Sequence, residues 1–154
     1  MRIGGEEISG LNEDVLVLPR GAGKSIKFHG KAIHDFDEFD KMVPVPEAPK
    51  VLTKNGTVTD LHDSGFKDQR LAYELIRFAY MVIKTLEPSK IEWSVVKFDD
   101  PSTWNSWADE LAEVLSIFEQ RQLIDFVHEI NSLSQGKIDE ARRNFLAGLA
   151  QVKA

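Results

Sequence analysis

The run Gly21-Ala22-Gly23-Lys24-Ser25 carries the residue types of a phosphate-binding loop. In such a loop successive backbone N–H groups surround the phosphates, a lysine reaches the terminal ones and a serine or threonine holds Mg²⁺. The pattern is G-x-x-x-x-G-K-[ST], and Gly23-Lys24-Ser25 matches its end. The position five before Gly23 is Leu18, and Gly21 stands only two residues away, so the loop is too short to wrap phosphates in that way. A phosphate loop also opens a helix. Here Ser25-Ile26-Lys27-Phe28-His29 alternates polar and apolar, the period of a half-buried strand. The apolar run Val15–Leu18 precedes it. Strand, Gly-containing turn and strand predict a hairpin, with no cofactor bound at the turn.

Other chemistry-bearing residues are equally unsupported by spacing. The chain has no cysteine, which excludes disulfides, thiolate catalysis and thiolate metal sites. His29, His34, His62 and His128 include no i, i+4 pair of the kind that binds a metal on a helix face. Asp35 to Asp40 resembles a calcium loop, but Phe39 and Asp40 stand at its fifth and sixth positions, where Asp or Asn and then Gly are required. No G-x-S-x-G elbow is present. Asp99-Asp100 precedes a helix start, where capping accounts for the pair. We assign no catalytic, cofactor-binding or metal-binding residue, and the expectation is a protein that is not an enzyme.

The aromatic residues are the distinctive feature. Trp93, Trp104 and Trp107 fall within 15 residues, inside the most acidic stretch. Tyr73 and Tyr80 share one face of a long helix, seven residues apart. Trp and Tyr are favoured anchors at interfaces, so these five are the candidate partner-binding residues. Core packing is the competing expectation for part of the set.

The elements that must position these residues divide the chain. Residues 1–60 read as β-rich: Val15–Leu18 and Ser25–Ile33 are strands, Glu6–Ile8 is a weaker one, and Asn55-Gly56 marks a further hairpin. Phe36, Phe39 and Val43 recur at helical spacing between them, and Pro44, Pro46 and Pro49 form a stiff extended connector. Residues 61–154 read as about four helices. Leu71, Leu75, Phe78, Val82 and Leu86 form one stripe of the first, beside Ala72, Ile76, Ala79 and Ile83, and Leu75, Phe78 and Val82 are expected to be buried. Ile91–Phe98 is a connector or short strand. Asp100-Pro101 starts a second helix, Ser116 with Glu119 forms a capping box for a third, and Ile138, Ala141, Phe145 and Leu149 stripe the last. The fold class is α+β.

Bulk composition limits the partners. With 42% apolar and 29% charged residues, 154 residues suffice for one packed core. No apolar run reaches the roughly 18 residues that span a bilayer, and MRIGGEEISG lacks the apolar segment of a secretory signal. Net charge is −6, and residues 91–129 hold nine acids against Lys97 and Arg121, a segment that repels a phosphate backbone. Neither nucleic acid nor a membrane is an expected partner.

Four strings point to relatives: EPSKIEW (87–93), DDPSTW (99–104), INSL (130–133) and EARRNFL (140–146). Together with VLPR (17–20) and KAIHDFDEFDKMVPVPEAP (31–49), they resemble a family of small tailed-bacteriophage proteins, the phage tail assembly chaperones. The resemblance runs from about Val15 to Leu149. It implies a host-cytoplasmic protein that binds the long, aggregation-prone tape measure protein while tail tube subunits assemble around it. It also implies absence from the finished virion, and in many members a longer frameshifted form. A structural virion protein (a neck, baseplate or head-decorating subunit) is the alternative, and self-association stays open.

Overall fold

The computed structural model describes residues 1–132 and 135–153. The class is α+β, with short hairpins in the first half and helices after it. Strands β1 (Arg2–Ile3) and β2 (Glu6–Glu7), β3 (Glu13–Pro19) and β4 (Ser25–Lys31), and β5 (Lys50–Thr53) and β6 (Gly56–Thr59) form three separate antiparallel pairs. Helix α1 covers Asp37–Met42, α2 Ser64–Thr85, α3 Trp107–Leu111, α4 Ile117–Asn131 and α5 Gln135–Lys153. Two 3-10 turns, Glu87–Ser89 and Pro101–Ser106, lie between α2 and α3.

The β3–β4 hairpin is the sheet that packs. Leu16 pairs with Phe28 and Leu18 with Ile26. Leu18 and Phe28 are buried, while Val15, Val17, Lys27 and His29 on the other face are exposed, as period-2 alternation requires. The buried face lies on α4. Gly30 meets it so closely that a Cβ there would collide with Ile130 Cδ1 and sit 3.0 Å from the Phe126 ring. On the same strand, Ser89 Oγ accepts from His29 N–H and donates to His29 C=O, both at 2.8 Å, which satisfies part of the β4 edge.

One hydrophobic core joins both halves of the chain. Phe39 and Val43 from α1 and its exit, Tyr80, Val82 and Leu86 from α2, Trp104, Leu111, and Leu123, Val127 and Ile130 from α4 belong to the same buried cluster as Leu18 and Phe28. Asn131 knits this core at its polar edge. Its side-chain amide donates to Thr85 Oγ1 at 2.9 Å and Val127 C=O at 2.8 Å, and its Oδ1 accepts from Ile33 N–H at 2.8 Å. Thr85 is fully buried, so this hydrogen bond offsets the cost of desolvating its hydroxyl.

Local signals explain the helix starts. Asp63 caps α2 by accepting from Phe66 N–H at 2.9 Å, and Asp100 caps the Pro101–Ser106 turn by accepting from Ser102 N–H at 3.1 Å. Ser116 and Glu119 form both bonds of a capping box. Residues 91–98 are a connector and not a strand; the 94–96 backbone is bound by a side chain, described below. Two expectations need correction. The β5–β6 turn falls on Lys54-Asn55, one residue earlier than expected: Thr53 pairs with Gly56, which has φ +108°, and Asn55 does not have positive φ. And Leu75, expected in the core, is 53% exposed, with Phe78 half-buried and only Val82 fully buried. The two apolar stripes of α2 are covered only over its C-terminal half, where α4 and the Pro101–Ser106 turn lie against it.

Candidate functional site

The Gly21–Ser25 run is the turn of the β3–β4 hairpin. Lys24 N–H donates to Gly21 C=O at 3.3 Å and Arg20 N–H to Lys24 C=O at 2.7 Å. Ala22 and Gly23, the central residues, both take positive φ (61° and 72°), the arrangement that matches strand twist in a tight hairpin. A strand follows in place of the helix that a phosphate loop opens, and the Arg20 and Lys24 N–H groups are used in the hairpin itself. Among the described residues no three His, Asp or Glu side chains are grouped to hold a metal ion.

The five sequence-predicted aromatic residues separate into two sets. Tyr80 (1% exposed), Trp104 (0%) and Trp107 (7%) are core residues, which removes them from any surface patch. Tyr80 and Trp104 have ring centroids 5.4 Å apart, and Phe39 lies 5.4 Å from Tyr80 and 6.2 Å from Trp104. The Trp104 indole N–H donates to Lys97 C=O at 3.0 Å. Burial pushes the Tyr80 hydroxyl pKa up. Tyr73 and Trp93 are half-buried and each lines a surface groove.

Three of the acids around the tryptophans, Glu110, Asp100 and Glu119, are committed to the fold. Glu110 accepts from Ser94, Val95 (3.2 Å) and Val96 (3.0 Å) N–H groups, which fixes the 94–96 backbone. Burial pushes this carboxyl up, but the N–H groups of Val96, Ser94 and Val95 outweigh it and hold the pKa below the usual value. Asp100 caps the following turn. Glu119 is gripped by Arg20. The acidic rim expected to guard an aromatic patch is therefore partly internal scaffolding.

The exposed apolar surface lies elsewhere, and sequence reasoning placed it in the core. Leu71 (59% exposed) and Leu75 (53%) stand one turn apart on the uncovered half of α2. Around the helix from them, on its other side, a groove of about 400 Å³ runs between α2 and the proline connector, lined by Val45, Pro46, Phe66, Arg70, Tyr73 and Arg77. Phe36 and Arg77 stack across the neighbouring surface at 4.1 Å. A helix with Leu71 and Leu75 outward, one turn apart, can take an apolar helical segment.

No family model matches the chain, and comparison with curated proteins and with solved structures finds no match. No helix among the described residues is long and apolar enough to cross a membrane.

Proposed function

We propose that this chain is a non-enzymatic tail assembly chaperone of a tailed bacteriophage. It acts in the host cytoplasm and binds the tape measure protein while tail tube subunits assemble. The family assignment rests on the strings EPSKIEW, DDPSTW, INSL and EARRNFL. The observation that carries a client-binding role is the N-terminal half of α2: Leu71 and Leu75 stand exposed one turn apart, on a helix whose other half is built into the core. Exposed leucines at i, i+4 form the kind of surface that takes the apolar side of a partner helix. Tyr73 and Trp93 remain candidate contacts. Tyr80, Trp104 and Trp107, being core residues, are not contacts.

Co-expression with the tape measure protein of the same phage tests the reading. A soluble client in the presence of this chain, and an insoluble one without it, is the expected result.

A second reading has its own observation. The β5–β6 hairpin is exposed along its whole length, with Val51, Leu52 and Val58 uncovered. A free two-stranded arm suits a structural virion subunit that docks by strand addition. Mass spectrometry of purified particles separates the two: the chain is absent from particles if it is a chaperone and present if it is a virion component.

A further inference from the structure

The two strands of the packed hairpin have unlike outer edges. Arg20 N–H donates to Lys24 C=O and Ala32 N–H to Asn12 C=O, which fixes the phase of the ladder. The pairs Asp14 with Gly30, Leu16 with Phe28 and Leu18 with Ile26 are the hydrogen-bonded ones. Val15, Val17 and Pro19 of β3, and Lys27 and His29 of β4, therefore turn their backbone groups outward. On β4 this outward row is met by Ser89, which bonds both groups of His29. On β3 it is open. Among the described residues, Val17 N–H, Val17 C=O and Val15 C=O have no hydrogen-bond partner, and Val17 is 53% exposed. The open run is bounded on both sides. Val15 N–H is held by the Asp14 carboxylate at 2.8 Å, while Pro19 has no N–H and its C=O accepts from Arg20 at 2.9 Å.

A groove of about 550 Å³ runs along this open edge. Residues 14–19 of β3 form one wall, and Gln122, Asp125, Phe126 and Glu129 of α4 form the other. Alternate side chains of a strand point to opposite faces, so six consecutive residues line one groove only where it follows the strand edge. Leu18 and Phe126 are buried at its base and Leu16 is half-buried, which gives the groove an apolar floor. The charged side chains of its lining are Asp14, Asp125 and Glu129, with no base among them. Lys137 lies 3.5 Å from Asp14 and from Glu129 and answers those two at one end. Arg121 stands one turn before Asp125 on α4, outside the lining. Asp125 is exposed and, among the described residues, forms no ion pair.

We infer that the β3 edge binds an extended segment of a partner protein, which adds as a third strand to the β3–β4 sheet and carries aliphatic side chains and a lysine or arginine on its inward face. The backbone selects the conformation. A helix uses its own N–H and C=O groups internally, whereas an extended chain presents them sideways in a row that meets Val17 N–H, Val17 C=O and Val15 C=O. Every second side chain of the added strand then points onto Leu16, Leu18 and Phe126. Asp125 selects the charge on that face, because its carboxylate has no cation from this chain and a basic side chain in the groove supplies one. Pro19 and the Asp14–Val15 contact confine pairing to the Val15–Val17 stretch, so the register of the added strand is set. The site is separate from the Leu71–Leu75 surface, and its failure leaves the client reading standing.

The probe is the peptide acetyl-Thr-Val-Thr-Lys-Thr-Val-Thr-amide, whose Val, Lys and Val share one face when extended. Titrated into the isotope-labelled full chain, it shifts the amide resonances of Val15, Leu16 and Val17 and slows hydrogen exchange of the Val17 amide. A version of the peptide with its central residues N-methylated, which cannot pair along a strand edge, does not bind. Val17→Pro removes the outward N–H without breaking a bond to β4, a substitution that an edge strand accommodates, and it weakens binding about tenfold. Asp125→Lys, at an exposed position that leaves the melting temperature unchanged, weakens binding of this peptide by a similar factor and makes the protein prefer the peptide with Glu in place of Lys. An unshifted Val17 amide at about 1 mM peptide, the limit of weak binding, overturns the inference. So does equal binding of the N-methylated peptide, or an Asp125→Lys variant with unchanged preference. A Val17 amide that becomes protected in the free chain as its concentration rises also overturns it, because the edge is then filled by a second copy.

Discussion

Arg20 holds Glu119 through two hydrogen bonds, at 2.6 and 3.0 Å, across 99 residues of sequence. The same guanidinium reaches Val114 C=O, so one side chain at the base of the β3–β4 turn locks the hairpin to the corner between α3 and α4. Paired donors in a fixed fork give this contact more geometric specificity than a single lysine contact would have.

This pair makes stability depend on pH in a defined direction. The Arg20 hydrogen bond and the Ser116 N–H hold the Glu119 carboxyl below its ordinary value of 4.5. A group with a depressed folded pKa contributes stability that is complete above its unfolded pKa and lost as pH falls through the folded one. The melting temperature of wild type should therefore exceed that of Glu119→Gln at neutral pH, and the gap should close as pH is lowered below about 4. A gap that is constant across this range means that the pair does not titrate with folding.

Gly30 is the point where β4 touches α4. Gly30→Ala places a methyl group against Ile130 and the Phe126 ring, and overpacking of this kind costs about 1–3 kcal/mol. Chemical denaturation of the variant measures it. An unchanged midpoint would mean that α4 can move away freely.

Trp104 is the centre of the aromatic cluster, buried and bonded to Lys97 C=O. Trp104→Ala should cost roughly 3–5 kcal/mol, enough to unfold a large fraction of a small domain. Trp93→Ala, at a half-buried groove position, should cost clearly less. Equal losses in denaturant melts would contradict the separation of these tryptophans into core and surface.

At the β3–β4 turn, Ala22 occupies the left-handed region with φ 61°. The conformation costs an L-residue about 1–2 kcal/mol, part of which glycine recovers after its larger unfolded-state entropy. Ala22→Gly should stabilise the protein by about 0.5 kcal/mol. Lys24→Ala should be neutral, and ATP with Mg²⁺ should not shift the melting temperature of wild type. A nucleotide-dependent shift abolished by Lys24→Ala would restore the phosphate-loop reading.

The β3–β4 and β5–β6 hairpins and the starts at Asp100 and Ser116 were legible in the sequence because local chemistry sets them. Alternation in Ser25–His29, the Ser116–Glu119 box and Asp100-Pro101 each satisfy backbone groups within a few residues. The candidate surface was less legible because burial is decided by what packs from a distance. Tyr73 and Tyr80 share a helix face, yet Tyr80 lies under Phe36 and Trp104 while Tyr73 sits where the cover thins out. The two stripes of α2 fix which sides are apolar, but not how far along the helix the neighbours extend. The acids near the tryptophans suggested a surface, whereas Glu110 and Asp100 serve the local backbone.

The most direct measurement is the solubility of the tape measure protein co-expressed with wild type or with Leu71→Asp/Leu75→Asp. Both positions are exposed, so the double variant should melt within a few degrees of wild type. The predicted result is a client kept soluble by wild type and lost to the pellet with the folded double variant. A client equally soluble with both proteins, or insoluble with wild type, would contradict the account.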